Sequence, residues 1–366
     1  MTYLPMSIVH IITTIDLGGA EKQLLTLSTC QKKNGDDVEI IFLKGSPKLL
    51  DKFLSAGIKV NTNLLNTSFL SQILKLKKRQ LSDVEVYHAH LPRAELLCAL
   101  ALRPKSFIVT RHNAERFFPR GPRFISVLLS RFAQKTAFAL ISISKAVNDF
   151  LVSSKEVIIS ENNHIIYYGL QIETSYFKDS CELNSGRFHI GTIARLVPQK
   201  NLPLLLNALC HLNKVLGAKV SLTIVGVGPL KDELMRKAIE CGIQESVTWK
   251  GQISDVTLFY KSIDAFVLPS NYEGFGLVLL EAMQQGVPVI ANDVSAIPEV
   301  LGKGHPGLLK FPNSSLLAET IWKMLSDRKL RQSCLSFQYD RIKFFSIERS
   351  YSSHKRVYLQ LFEHSR

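Results

Sequence analysis

The sequence is poor in the features that mark disulfide-bonded, zinc-binding and membrane-spanning proteins. Its 366 residues include six cysteines, which are scattered at positions 30, 98, 181, 210, 241 and 334 without a Cys-x-x-Cys pair. Neither a disulfide framework nor a zinc site is expected, so the compartment is expected to be reducing. No stretch approaches the ~18 apolar residues that a membrane span requires. The first residues also lack the basic segment of a secretory signal. We therefore expect a cytoplasmic location.

Acidic residues are scarce relative to basic ones. The chain has 45 Lys and Arg against 31 Asp and Glu, a net charge of +14, and the N-terminal half carries the larger share of the excess. Such a surplus fits nucleic acid, an anionic membrane surface or phosphorylated substrates. RNA-binding glycine-aromatic signatures and zinc-finger spacing are missing, so nucleic acid is not the expected partner. The length exceeds that of one ordinary core and indicates two domains.

Apolar, β-branched runs alternate with helical patterns through the N-terminal half, which predicts buried parallel strands. The predicted strands cover 7–14, 38–43, 84–87, 107–110 and 139–144. Gly18 and Gly19 follow the first strand, where a glycine turn lets a backbone approach a ligand.

Histidines stand at the carboxyl ends of two of these strands. The strand 84–87 runs on into His88 and His90, whose side chains share one face, and His112 follows the strand 107–110. A metal would need further ligands, and none lies near in sequence, so no metal is expected. Ligand contacts at these strand ends are the favoured interpretation, because α/β sheets bind ligands there.

Basic and aromatic residues alternate over 116–124, before a helix of amphipathic pattern. This pattern is typical of a surface that meets anionic lipid headgroups. A helix that packs on its own domain with a basic rim explains it equally well. Binding of single-stranded nucleic acid ranks third.

The C-terminal half begins a second series of strands after a polar segment at 180–186. Arg195 and Lys200 stand at the two ends of the loop between a strand at 188–194 and a helix at about 202–216. Both cations can point into one crevice, which suits a diphosphate. The alternative is that both cations only keep the loop soluble. Paired cations at a helix N-terminus, however, oppose the helix dipole unless an anion is present.

Two glycine loops follow later strands. Gly226 and Gly228 come after the strand 220–225, but a third glycine and the acidic residue of a dinucleotide fingerprint are missing, so no nicotinamide site is expected. The second loop, with Gly274, Phe275 and Gly276, lies between a strand at 264–268 and a helix from 277.

Two carboxylates flank this second loop. Glu273 precedes it and Glu281 lies in the second turn of the helix. Free N–H groups at such a helix start can bind an anionic or polyhydroxyl ligand. The alternative is that Glu273 caps the helix and Glu281 is a solvated helix residue.

The motifs together resemble the retaining glycosyltransferases of family 4. The C-terminal half matches through Arg195 with Lys200-Asn201, Gly226-x-Gly228-Pro229, and Glu273-Gly-Phe-Gly with Glu281 after seven intervening residues. The N-terminal half matches more loosely, through Gly18-Gly19-Ala20-Glu21, His88-x-His90 and His112. The resemblance implies the GT-B architecture, an α/β fold with two doubly wound parallel-sheet domains facing across a cleft. The expected domains are 1–180, 187–345 and a C-terminal helix, 346–366, that crosses back to the first.

The resemblance also implies roles. Arg195 and Lys200 would hold the donor diphosphate, Glu281 the ribose and Glu273 the sugar hydroxyls. The backbone at Gly18 and Gly19 would approach the donor phosphate. The donor would also be lined by Gly226, Gly228 and the loop of Gly274, Phe275 and Gly276. His112 would lie by the reacting sugar, with His90 on the acceptor side. The resemblance also implies transfer without a metal or other cofactor, and the sequence agrees in having no Asp-x-Asp motif.

Two positions depart from the family pattern. Tyr168-Gly169-Leu170-Gln171 stands where the family often has Asn-Gly-Ile/Val-Asp, and the loop after Asp293 lacks the Gly-Gly of many members. We expect a transferase that moves a sugar from a nucleotide-sugar donor to a saccharide acceptor, lipid-linked as in lipopolysaccharide or polysaccharide biosynthesis, at the inner face of a membrane. A nucleotide-sugar epimerase and a non-catalytic nucleotide-sugar-binding subunit are the alternatives.

Overall fold

The computed structural model describes residues 5–79, 85–172, 188–253 and 255–364. The chain divides into two compact units, of which the first comprises Met1–Gln171 with Phe345–Arg366 and the second Ile172–Phe344. The predicted boundary segment 180–186 lies outside the described residues.

The first unit is built on a parallel sheet. Its described residues form seven strands in the order β3-β2-β1-β4-β5-β6-β7. The strands are β1 Ser7–Ile12, β2 Asp37–Phe42, β3 Lys59–Asn61, β4 Glu85–His90, β5 Phe107–Arg111, β6 Ala139–Ser142 and β7 Asn163–Ile165. The helices between them are α1 Gly19–Lys33, α2 Leu50–Ser55, α3 Phe69–Arg79, α4 Pro92–Ala101, α5 Arg123–Thr136 and α6 Lys145–Ser153. The five strands predicted in this half are confirmed, with described ends that differ by two residues or fewer except at β4, which runs to His90 rather than ending at Tyr87. The short β3 and β7 were not predicted.

The second unit repeats this construction. Its described residues form six parallel strands in the order β10-β9-β8-β11-β12-β13. They are β8 Phe188–Ile193, β9 Val220–Val225, β10 Val247–Lys250, β11 Ala265–Leu268, β12 Val289–Asn292 and β13 Leu308–Leu309. The helices are α7 Leu202–Lys214, α8 Lys231–Glu240, α9 Val256–Lys261, α10 Leu277–Gln284, α11 Ile297–Leu301, α12 Ser314–Ser326 and α13 Arg328–Ile342. The predicted α/β class, with two parallel-sheet domains, is confirmed.

Local sequence explains where several helices begin. Side chains of Ser144, Asp255, Asn313 and Asp327 accept hydrogen bonds from backbone N–H groups in the first turns of α6, α9, α12 and α13. These residue types are the strongest N-caps because a short side chain satisfies N–H groups that have no partner within the helix. The strands are rich in apolar residues, as expected where helices cover both faces of a parallel sheet.

The last helix, α14 (Ile347–His364), belongs to the first unit. Val357, Tyr358 and Leu361 of α14 join the core formed by β1, β4 and β5. Lys355 is fully buried and forms an ion pair with Asp36, which also accepts hydrogen bonds from the N–H of Met6 and the hydroxyl of Tyr351. A buried charge is tolerated only with such partners.

We expect Lys355→Met to lower the free energy of unfolding by about 3 kcal/mol or more, because Asp36 would stay buried without its counter-charge. Urea denaturation monitored by circular dichroism measures the change. Lys145→Met is the matched control, since Lys145 pairs with Asp149 at the surface, and we expect a change within about 0.5 kcal/mol. Equal effects of the two substitutions would contradict the assignment.

Candidate functional site

Two loops of the second unit meet at the carboxyl ends of the adjacent strands β8 and β11. The N–H of Asn271 donates to the carbonyl of Gln199 at 2.8 Å, and the Gln199 side chain donates to the carbonyl of Tyr272 at 2.9 Å. Because neighbouring parallel strands end at the same edge, residues 73 positions apart in sequence come together here. The two loops form one polar surface.

Lys200 and Glu273 form the centre of this surface. Their Nζ and Oε1 atoms lie 2.5 Å apart, and the Ser270 hydroxyl donates to the same carboxylate oxygen at 2.6 Å. Glu273 is only 5% exposed. The residue at the start of α10 is Gly276, which makes no side-chain cap bond. Glu273 therefore does not occupy the N-cap position, and its carboxylate contacts Lys200 and Ser270 instead.

Arg195, by contrast, is exposed to solvent. Its Nη2 lies 3.3 Å from the side-chain oxygen of Gln199 in the same loop. The structure thus links both predicted cations to this loop, but it pairs them with different groups. Lys200 has a carboxylate partner, and Arg195 has a neutral one.

Glu281 lies on α10 and is half-buried. Its Oε2 accepts a hydrogen bond from the Tyr260 hydroxyl of α9 at 3.1 Å. Burial, together with the neighbouring carboxylate, raises the pKa of Tyr260 well above its usual value, so this phenol stays a donor. The alternative of a merely solvated helix residue is wrong for Glu281.

Gly226 and Gly228 are required by close backbone packing. A Cβ atom would lie 2.0 Å from the carbonyl oxygen of Ala194 at Gly226 and 2.4 Å from that of Leu196 at Gly228. The fold alone therefore demands glycine at both positions. In the second loop Gly276 has a φ of +92°, Gly274 is half-buried, and Phe275 is 2% exposed, so this ring serves the core.

Ser295 occupies one of the positions that depart from the family pattern. Its φ of +52° lies in the left-handed region, and its hydroxyl donates to the carbonyl oxygen of Glu273 at 2.7 Å. A side chain in this region costs about 1 kcal/mol or more. The hydrogen bond to the backbone of Glu273 offsets that strain.

In the first unit, His112 and His90 are consecutive members of a hydrogen-bonded row. His112 Nε2 lies 3.0 Å from His90 Nδ1, and His112 Nδ1 lies 2.5 Å from the Tyr168 hydroxyl. His90 Nε2 lies 2.9 Å from Nδ1 of His10. Both ring nitrogens of each predicted residue are therefore occupied by protein groups. The predicted contacts with sugars stay predictions.

These imidazoles are neutral at ordinary pH. Burial lowers the pKa of His10 to about 4 and that of His112 to about 3, and it holds the pKa of His90 well below its usual value. Neutral rings each have one donor and one acceptor nitrogen.

Gly18 and Gly19 lie at the start of α1, as predicted. Gly18 is the N-terminal boundary residue of the helix, and the Glu21 carboxylate folds back beside it to accept a hydrogen bond from Thr14 at 2.8 Å. Burial raises the pKa of Glu21. A Cβ at Gly18 would displace this carboxylate from its present position.

His10, His88 and His90 are the described residues that could hold a metal ion. One nitrogen of each lies within 4.8 Å of the others. His10, the third of these histidines, was missed in the sequence because it lies 78 residues before His88, yet the register of β1 and β4 pairs these two residues directly. A central apolar strand with one histidine, beside a strand with two, is the signal that would have found it.

Two family models match the chain. Glycosyltransferase Family 4 matches residues 17–173 and Glycosyl transferases group 1 matches residues 176–340. The O-antigen chain mannosyltransferase B of Escherichia coli is 34% identical over 164 residues, which cover 44% of this chain and 42% of that protein. An uncharacterized glycosyltransferase of Methanocaldococcus jannaschii is 34% identical over 38% of this chain and 36% of its own length. The chain thus spans about two fifths or less of these two curated relatives.

Other relatives match over nearly the whole chain. The phosphatidyl-myo-inositol mannosyltransferase of Mycobacterium leprae is 25% identical over 93% of this chain and 92% of its own. The crystal structure of Anabaena HepE with UDP and glucose has a TM-score of 0.82 and 20% identity, covering 97% of this chain and all of that one. At that identity the likeness shows a shared fold. Among the described residues, no helix has the length and apolarity to cross a bilayer.

Paired substitutions at Ser295 separate its strain from its hydrogen bond. Ser295→Ala keeps the left-handed backbone and loses the bond to Glu273, so we expect a loss of about 1 kcal/mol in unfolding free energy. Ser295→Gly loses the same bond but relieves the strain, and should unfold close to the wild type. Thermal denaturation of the two variants measures the difference. A glycine variant less stable than the alanine variant would refute this account.

Proposed function

The chain belongs to family 4 of the glycosyltransferases, and on that premise we propose that it transfers a sugar, with retention of anomeric configuration, from a nucleotide-sugar donor to a lipid-linked saccharide. The main observation behind this proposal is the ion pair of Lys200 and Glu273, where the loops after β8 and β11 meet. A cation and a carboxylate side by side offer one group for a phosphate and one for sugar hydroxyls.

The donor diphosphate is proposed to bind at Lys200 and Arg195. Lys200 supplies a point charge, and the exposed Arg195 supplies a planar guanidinium that can bind two phosphate oxygens. Both would stabilise the negative charge that develops on the leaving nucleotide, which is how fixed positive groups accelerate such transfers. We propose that these cations act at the diphosphate without a metal cofactor.

The two carboxylates are proposed to recognise hydroxyl groups. Glu273 is oriented by Lys200 and Ser270, so its second oxygen can accept a hydrogen bond from the sugar. Glu281, held by Tyr260, is assigned to the ribose. The relatives support a diphosphate donor: HepE is described with UDP and with UDP-glucose, and a Mycobacterium tuberculosis relative is named as GDP-mannose-dependent.

The lipid-linked acceptor and a membrane location rest on a surface of α5. Phe124 and Leu128, one helical turn apart, are 72% and 66% exposed, and Phe118 before the helix is 50% exposed. Arginines 116, 120, 123 and 131 lie close to them in sequence and are exposed. An apolar ridge with a basic border suits the boundary of an anionic bilayer. Relatives named for O-antigen and lipopolysaccharide core synthesis agree with such an acceptor. We propose the inner face of the cytoplasmic membrane.

We expect Lys200→Ala and Glu273→Gln each to reduce transfer by at least about a hundredfold, because each removes a group that contacts the donor at the reacting bond. Transfer of radiolabelled sugar from UDP-, GDP- and ADP-sugars to a lipid-linked acceptor fraction measures the loss. Lys231→Ala, an exposed lysine at the start of α8, is the control that should keep wild-type activity.

Thermal-shift curves with the same donors accompany this assay. The donor that binds should raise the melting temperature of the wild type and of Lys231→Ala but raise that of Lys200→Ala less. Near-wild-type transfer by both site variants would refute the site. Isomerisation of the donor without transfer would point to an epimerase, and binding without either reaction would point to a non-catalytic subunit.

A double substitution, Phe124→Ser with Leu128→Ser, should abolish flotation with liposomes that contain anionic lipid at low salt. Loss of two exposed apolar side chains removes the part that enters the bilayer boundary. Leu258→Ser, an exposed leucine of the second unit, is the control and should float like the wild type. A wild-type protein that does not float would remove the membrane proposal and leave the donor site untouched.

A further inference from the structure

One face of the sheet in the first unit carries an unusual set of buried polar side chains. They come from five elements and from the segments that follow β5 and β7, and every one is less than a tenth exposed. The set consists of His10 on β1, Gln31 on α1, His88 and His90 on β4, Thr110 on β5, His112 directly after β5, Tyr168, and Tyr358 on α14. A parallel sheet covered by helices ordinarily has apolar side chains in these places.

The first arm of hydrogen bonds leads from Tyr168 to Gln31. It passes through His112, His90 and His10, with separations of 2.5, 3.0 and 2.9 Å between successive polar atoms. His10 Nε2 then lies 2.9 Å from the side-chain oxygen of Gln31. Each of the three rings is bonded at both nitrogens.

The second arm continues from the same glutamine. The Gln31 amide nitrogen donates to the Tyr358 hydroxyl at 3.3 Å, and this hydroxyl lies 2.9 Å from Nδ1 of His88. His88 Nε2 lies 2.7 Å from the Thr110 hydroxyl. Gln31 therefore joins the two arms, with an acceptor turned to one and a donor turned to the other.

The orientation of Gln31 determines the direction of every bond in the row. Its oxygen can only accept, so His10 must donate from Nε2 and accept at Nδ1. His90 must then donate from Nε2 to His10, and His112 from Nε2 to His90. On the other side the Gln31 amide donates to Tyr358, which donates to Nδ1 of His88. All four rings are thus protonated at Nε2 only.

We propose that Gln31 is a positioning residue that acts through His10 and His90 to hold His112 as the neutral, Nε2-protonated tautomer with Nδ1 as a hydrogen-bond acceptor. This role in transfer rests on the proposed function, whereas the tautomers themselves do not. An acceptor nitrogen pairs with hydroxyl groups and repels phosphate oxygens. Its partner in this structure is the hydroxyl of Tyr168, and in transfer it is a sugar hydroxyl that displaces Tyr168.

Burial supports a row without charge. The pKa values of His10 and His112 are lowered to about 4 and about 3 by loss of hydration, and that of His88 lies well below its usual value for the same reason. Burial also raises the pKa values of Tyr168 and Tyr358 far above neutrality. The hydroxyls keep their protons and the rings gain none.

His354 of α14 faces the same row and provides an internal contrast. Burial lowers its pKa to about 4, and its Nδ1 lies 2.8 Å from the carbonyl oxygen of Ser350. A carbonyl only accepts, so His354 must be protonated at Nδ1. Burial raises the pKa of Glu21. After burial, the charge of the Glu21 carboxylate is the second cause that raises the pKa of Tyr168. The four histidines of the row are therefore protonated at Nε2, whereas His354 beside them is protonated at Nδ1.

A metal ion held by His10, His88 and His90 is the competing explanation. It needs an unprotonated lone pair from each ring directed at one point. In the structure both nitrogens of His10 and both of His88 are hydrogen-bonded to other groups. A metal would break several of these bonds, so the hydrogen-bonded row is favoured.

Nitrogen-15 NMR of the full-length protein with labelled histidine rings tests the tautomers directly. Signals assigned by single His→Gln variants should show His10, His88, His90 and His112 as neutral Nε2–H rings at pH 7, and His354 as Nδ1–H. Any of the four as Nδ1–H or as imidazolium would overturn the proposal. One equivalent of tightly bound zinc by elemental analysis, with loss of these signals, would overturn it in favour of the metal.

Gln31→Met removes the amide that sets the direction. We expect the signals of His10, His90 and His112 to shift toward values averaged over both tautomers. Gln72→Met is the matched control, because Gln72 is a buried glutamine of the same unit that bonds the carbonyls of Leu43 and Leu64 and touches no histidine of the row. Unchanged ring signals in Gln31→Met would overturn the role of Gln31.

Transfer assays separate this proposal from the proposed function. Gln31→Met should lower kcat/KM by about tenfold, the factor that one ordinary hydrogen bond is worth, and Gln72→Met by less than about twofold. If the wild type shows no transfer but the NMR signals show the expected tautomers, the proposed function is wrong and the assignment of the tautomers still holds. If Gln31→Met does not fold, the wild-type spectrum still decides the tautomers, and Gln31→Asn, with its shorter amide, replaces it in both measurements.

Discussion

Both units depend on one constraint: a polar group that is buried must have a hydrogen-bond or ion-pair partner. Glu273 is nearly inaccessible to water and is satisfied by Lys200 and Ser270, two residues from different loops. Asp36 is satisfied in the same way by groups from two segments of the chain, the N–H of Met6 and the side chains of Tyr351 and Lys355 on α14. Since an unpaired charge inside a protein costs several kcal/mol, each such group fixes the position of the segments around it. The buried carboxylate of Glu273 therefore holds the loops after β8 and β11 together.

Much of the fold was predictable, because parallel strands are long apolar runs and the loops that follow them carry glycine, cations or histidine. For that reason the sequence pointed to Arg195, Lys200, Glu273 and Glu281 as candidate site residues. The contact between Lys200 and Glu273 was not foreseen, since sequence order says which residues leave the same sheet edge but not which atoms meet. Gly226 and Gly228 were assigned to a ligand, and the structure shows that packing against Ala194 and Leu196 already requires them.

The largest omission concerns the buried histidines. His10, Gln31 and Tyr358 are unremarkable in sequence, and the last lies 327 residues from Gln31. They become a set only through the register of β1 with β4 and the position of α14 on the sheet. Both departures from the family pattern also acquire a meaning. Tyr168, in place of the usual Asn, bonds to His112, and Ser295, in place of a glycine, bonds to the backbone of Glu273.

The position of α14 has a consequence for biosynthesis. The first unit consists of residues near both ends of the chain, and its last helix supplies Lys355 to Asp36 and Tyr358 to His88. During translation both residues are made after the whole of the second unit. The first half of the chain is thus made early with a buried carboxylate and a polar sheet face still lacking their partners, while all of the second unit is synthesised before they arrive. A chain truncated after Phe344 would contain the whole second unit but would lack these partners of the first unit.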